Sequence, residues 1–89
     1  MTNPPITDLP GLGPKSAGML AAIGVHSRAD LAARGAVGAY LALRQAGQPA
    51  SLNLLWALEG ALTNRDWREV ARDDRLRLLL ELEARGGRG

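Results

Sequence analysis

Apolar residues recur three and four positions apart in blocks separated by Gly, Pro and Asn, and no block alternates with a period of two. The pattern predicts helices and no strand. Ala17, Leu20 and Ala21 share one face of a first helix, Pro14 to about Ile23, with Ile23 adjoining. Pro14 suits its first position and Gly24 its stop. Ser27-Arg28-Ala29-Asp30 resembles a capping box with Asp in place of Glu, and opens a second helix that ends at Gly35. A third helix spans Ala36 to Gln45, turning Val37, Tyr40 and Leu41 inward before Gly47 and Pro49 end it. Ser51 caps a fourth, Leu52 to Thr63, whose apolar face is Leu54, Leu55, Leu58 and Leu62, and Asn64 closes it in the left-handed region. Asp66-Trp67-Arg68-Glu69 reads as a second capping box over a single turn. A fifth helix covers about Asp73 to Arg85, with Asp73 and Asp74 at its positive end and Arg85 at its negative end.

These elements make an all-α fold: a single small domain of about five short helices over residues 9–85, with residues 1–8 expected as a flexible lead-in and residues 86–89 as a disordered tail. The fifth helix stands out. At ~100° per residue, Leu76, Leu78, Leu79, Leu80 and Leu82 span roughly 200° of arc, wider than one buried face requires. Either neighbouring helices wrap it on two sides or part of it meets another chain. A homodimer is the simplest form of the second option. Leu78, Leu82 and Trp67 are the candidate partner-contact residues.

Composition narrows the chemistry. With 89 residues, 46% of them hydrophobic, the chain supports one core. Tyr40, Trp56 and Trp67 are its only aromatics, too few for a surface that stacks bases. Cysteine is absent and His26 is the only histidine, which excludes disulfides, zinc fingers and a hydrolytic triad. No metal site or cofactor is expected. Every Leu run is interrupted by Arg or Glu before it reaches the length of a membrane span, so no membrane role and a cytoplasmic location are the default expectations. Net charge is +2, and its excess lies in residues 1–50, where Lys15, Arg28, Arg34 and Arg44 oppose Asp8 and Asp30. Beyond residue 50, seven Arg balance seven acids, which reads as a solvated and internally paired face.

The candidate site lies at the glycine turn Leu9-Pro10-Gly11-Leu12-Gly13, which leads into Pro14-Lys15-Ser16-Ala17. Gly11 and Gly13 allow a sharp reversal, and the helix start that follows presents backbone amides to an anion. The turn resembles the helix-hairpin-helix motif, which grips nucleic-acid backbone. Gly11, Gly13, Lys15 and Ser16, with His26 and Arg28 nearby in sequence, are the candidate contacts to DNA phosphate. The plainer reading is a turn that joins two packed helices. Asn53 and Glu59 lie among apolar neighbours and are expected to be structural, Asn53 bonding a loop backbone and Glu59 pairing with Trp67, Arg65 or Arg68. No catalytic residues are assigned, because nothing completes a general acid–base pair.

Four blocks carry a wider resemblance: Leu12-Gly13-Pro14-Lys15-Ser16, Ala22-Ile23-Gly24-Val25-His26-Ser27, Gly35-Ala36-Val37-Gly38-Ala39-Tyr40, and Ser51-Leu52-Asn53-Leu54-Leu55-Trp56-Ala57-Leu58-Glu59-Gly60-Ala61-Leu62. Together they resemble the C-terminal domain of the TfoX (Sxy) family. The resemblance implies a compact helical domain with a helix-hairpin-helix-like element and a link to DNA transformation through regulation of competence genes. It further implies double-stranded DNA and a transcription regulator protein of the cAMP-receptor type as partners. Full-length members carry an α/β domain ahead of this one, for which 89 residues leave no room. The expected function is therefore that of a non-enzymatic DNA- and transcription-associated module with weak phosphate contact. The rival is a protein-interaction or dimerisation module with no DNA contact.

Overall fold

Local capping chemistry sets most of the helix boundaries. The computed structural model describes Ile6, Leu9 and residues 11–86. It contains α1 (Pro14–Ala21), α2 (Arg28–Arg34), α3 (Ala36–Gln45), α4 (Leu52–Thr63), α5 (Trp67–Asp73) and α6 (Arg75–Gly86), with no strand among the described residues. The Ser27 hydroxyl accepts from the Asp30 N–H at 3.3 Å, and the Ser51 hydroxyl from the Leu54 N–H at 3.4 Å. Asp30 departs from the reciprocal box. Its carboxylate takes the His26 N–H at 3.0 Å. Asn64 closes α4 at φ 58°, in the left-handed region as expected.

Three boundaries differ from the sequence reading, one of them the last helix, which starts at Arg75 and leaves Asp73 at the end of α5 and Asp74 between the two. α1 ends at Ala21, because the chain tightens there and Val25 N–H returns to the Leu20 carbonyl at 2.9 Å across Gly24. This wrap buries Leu20 and Val25 completely. The Asp66 segment is a seven-residue helix, not a single turn. Its box is complete: Asp66 Oδ1 accepts from the Arg68 N–H at 2.8 Å, and Glu69 Oε1 from the Asp66 N–H at 3.1 Å.

α4 forms the centre. Leu55, Trp56, Ala57, Leu58 and Ala61 are all buried on it, and α2, α3 and α5 pack around them. α3 contributes Ala36, Val37, Ala39, Tyr40 and Leu43, while Leu41, expected inward, is only partly buried. The core also begins earlier than expected. Ile6, assigned to the lead-in, is 2% exposed and joins Leu9 and Leu12 beneath two successive turns, with Leu9 N–H donating to the Ile6 carbonyl and Leu12 N–H to the Leu9 carbonyl. Residues 1–5 of the expected lead-in, Thr7, Asp8, Pro10 and residues 87–89 of the expected tail lie outside the described residues.

α5 lies close along α4 because Gly60 has no side chain. A Cβ there would meet the Arg65 carbonyl oxygen at 2.5 Å, and Arg65 N–H donates to the Gly60 carbonyl at 2.9 Å. The returning chain brings Arg65 against Asp74, the residue between α5 and α6. Arg77 bonds Asp74 at 3.0 Å and Glu59 of α4 at 2.8 Å, not the Trp67, Arg65 or Arg68 partners expected for Glu59. Glu81 follows with Arg77 at 3.8 Å and Arg85 at 3.2 Å. The internally paired face expected of this half is thus present around Arg65, Arg77 and Arg85, whereas Arg68 and Arg75 form no ion pair among the described residues. Hydrogen bonds from Arg65 and then Arg77 hold the Asp74 carboxyl below the usual carboxylate range.

Two predictions arise from this packing. Gly60→Ala forces a methyl group into backbone, and should destabilise the protein by about 1–3 kcal/mol in urea unfolding. An unchanged midpoint would show that the turn relaxes freely. Asp74 has a lower carboxyl pKa folded than unfolded, so its contribution is complete above the unfolded value, ~3.9, and is lost as pH falls through the lower folded value. Asp74→Asn should therefore melt lower than the wild type at pH 7, and the gap should close in that acid range. A gap that persists unchanged into strong acid would remove Asp74 from this role.

Candidate functional site

The glycine turn lies in van der Waals range of α4. Gly11 adopts φ +79°, and a Cβ there would lie 3.7 Å from Ala57 Cβ. Gly13 differs from expectation. It is extended, φ −107° and ψ −170°, and serves as the N-cap of α1 without a side chain to bond the helix. Ala17 N–H reaches the Gly13 carbonyl at 2.9 Å. Pro14 has no N–H, and the Lys15 and Ser16 amides take no acceptor among the described residues. Lys15 is exposed and forms no ion pair among them.

This helix start opens into a cleft of about 300 Å³. Gly11, Lys15, Ser16 and Met19 line one side, and Ser51, Asn53, Leu54 and Ala57 of α4 the other, with Pro49 and Trp67 completing the wall. The cleft therefore faces two helix N-termini. Neither α1 nor α4 has an acidic residue in its first turn, and among the described residues no carboxylate lines the cleft. Their partial positive charges add to that of Lys15. Trp67 is partly buried, and the Arg68 guanidinium sits 5.3 Å from the centre of its ring.

Gly11, Lys15 and Ser16 thus line one cleft, with Gly13 capping the helix that carries Lys15 and Ser16. His26 and Arg28 do not line this cleft. Arg28 donates to the Leu62 carbonyl at 2.8 Å, at the far end of α4, roughly 16 Å along the helix from Ser51 at 1.5 Å per residue. It caps α4 and complements the negative end of its dipole. The His26 side chain is exposed while its backbone N–H is used by Asp30. Ser51 and Asn53 were not foreseen as site residues. Asn53, expected to bond a loop backbone, is exposed at the cleft. Nothing in the local sequence brings the α4 start next to α1. That juxtaposition comes from tertiary packing.

The residues expected at a partner contact lie mostly inward. Leu78 is 1% exposed and belongs to the core, and Leu82 and Trp67 pack partly against that core. The outward leucines of α6 are Leu76, 70% exposed, and Leu80, 57% exposed. Among the described residues no helix is long and apolar enough to cross a membrane.

Comparison with curated proteins gives no match. A solved structure of an uncharacterized protein from Listeria monocytogenes is similar with a TM-score of 0.79, covering 93% of this chain and 94% of that chain at 22% identity. At that identity the likeness concerns the fold. The model of the TfoX C-terminal domain matches residues 2–82, nearly the whole length, and the protein belongs to that family.

Proposed function

We propose that this protein is a non-enzymatic, DNA-associated regulatory module of the competence-regulator kind, and that its glycine turn holds duplex phosphate weakly and without sequence preference. The observation that carries the reading is the uncapped start of α1. Among the described residues the Lys15 and Ser16 amides are without acceptors, next to the Lys15 ammonium, in a cleft that no described carboxylate lines. A phosphate oxygen suits such a helix start, since it gains hydrogen bonds and the positive end of the dipole together. Backbone amides contact phosphate and not base edges, so they position a protein without reading sequence.

Membership of the TfoX C-terminal domain family supports a regulatory setting of the competence-regulator kind, with a transcription regulator protein as the proposed partner. The polar side chains of the cleft support binding and not catalysis. They are Lys15, Ser16, Ser51 and Asn53, with no carboxylate or imidazole among the described lining residues to act as a base.

Binding to a fluorescent duplex, measured by anisotropy from about 50 to 200 mM salt, tests the proposal. One or two phosphate contacts give a log–log salt slope of roughly −1 to −2, and Lys15→Glu should weaken binding about ten-fold. Arg28→Met is the contrasting variant. It should lower stability by about 1–2 kcal/mol through loss of the bond to Leu62 while leaving DNA affinity unchanged. No binding at the lowest salt, or equal binding by Lys15→Glu, would refute phosphate capture at the turn.

A further inference from the structure

The outer face of α6 is left open. Leu76 and Leu80 lie one turn apart, both mostly exposed, on the side of the helix away from buried Leu78. Partly buried Leu79 extends the stripe toward the core. Of the charged residues on α6, Arg77, Glu81 and Arg85 are all engaged in ion pairs. Arg75 and Glu83 are exposed and have no ion-pair partner among the described residues. They stand four residues on either side of Leu79.

We propose that this face is the interface of a homodimer in which two copies of α6 pack antiparallel about a twofold axis beside Leu79. The charge pattern selects this occupant. Arg75 and Glu83 each lie about 6 Å along the helix from Leu79, in opposite directions. The twofold axis therefore brings Arg75 of one copy level with Glu83 of its partner, and does so twice. Leu76 and Leu80 of the two copies interdigitate between the pairs. A parallel arrangement would set Arg75 against Arg75 and Glu83 against Glu83, which repel. The isologous, antiparallel arrangement is the one in which the surface complements itself. One helix from each copy gives a contact below the usual size of a stable interface, so the dimer is weak and forms in the micromolar range or above. The inference does not rest on DNA contact, because no α6 residue lines the cleft.

Sedimentation equilibrium of the full chain from ~10 µM to ~1 mM tests it. The expected result is a single monomer–dimer equilibrium. Leu80→Glu should raise its dissociation constant more than about ten-fold. Because Leu80 is exposed, the fold should tolerate the change. Arg75→Glu and Glu83→Arg should each weaken the dimer, and the double variant should restore it. The two single variants, mixed, should associate more tightly than either alone, since each then meets its opposite charge on the other. A monomer at the highest concentration would overturn the proposal. So would a dimer indifferent to Leu80→Glu, or charge variants that fail to rescue one another in the double variant and in the mixture.

Discussion

The close approach of backbone at Gly60 is the constraint on which the second half of the molecule depends. α4 can be followed by a tight return because Asn64 accepts a left-handed conformation and Gly60 offers no Cβ to the Arg65 carbonyl. That return sets the axis of α5, and with it three further features. Trp67 becomes a wall of the cleft, Arg65 reaches Asp74, and Asp74 fixes where α5 gives way to α6. Arg77 then ties α6 back to Glu59, one residue before Gly60. A helix-interior glycine normally weakens a helix through its extra freedom. Here that local cost is offset by a packing distance no other residue permits.

The parts of the fold that were legible in the sequence are those whose causes are local. Ser27, Ser51 and Asn64 act on amides or carbonyls within a few residues, so the start of α2 and both ends of α4 could be read from them directly. The helical class follows from the spacing of apolar residues. What was not legible depends on distant chain. Leu76, Leu78, Leu79, Leu80 and Leu82 define a broad apolar arc, but which part turns inward is decided by how α3 and α5 flank α6. Leu78 went in, and Leu76 and Leu80 stayed out. Arg28 seemed free to meet a ligand until α4 brought the Leu62 carbonyl, thirty-four residues away, within 2.8 Å.

The candidate site follows the same division. Its α1 half was visible, because a glycine turn before Pro14-Lys15-Ser16 is a local signal for an open helix start. Its α4 half was not, because Ser51 and Asn53 matter only once Gly11 has settled against Ala57. The electrostatic character of the cleft owes as much to what is missing from the helix starts as to Lys15. α2 and α5 carry Asp30 and Glu69 in their first turns, which offset their dipoles. α1 and α4 carry no such residue, and the cleft receives both uncompensated ends.

A net charge of +2 would by itself give little attraction for a polyanion. The distribution matters because several carboxylates are engaged away from the cleft. Asp74, Glu59 and Glu81 are committed to arginines between α4 and α6, so that region presents paired charges whose fields largely cancel beyond a Debye length of about 8 Å. Lys15 is left as the charged side chain of its cleft. An interaction resting on one ammonium and a few amides is weak as a single event, and it gains most from being duplicated. Two such clefts carried on one dimer would convert the second contact into an intramolecular one, raising affinity without any new residue at the site. The α6 face and the α1 turn are separate surfaces in the fold, yet in that arrangement the first would set how effectively the second holds a duplex.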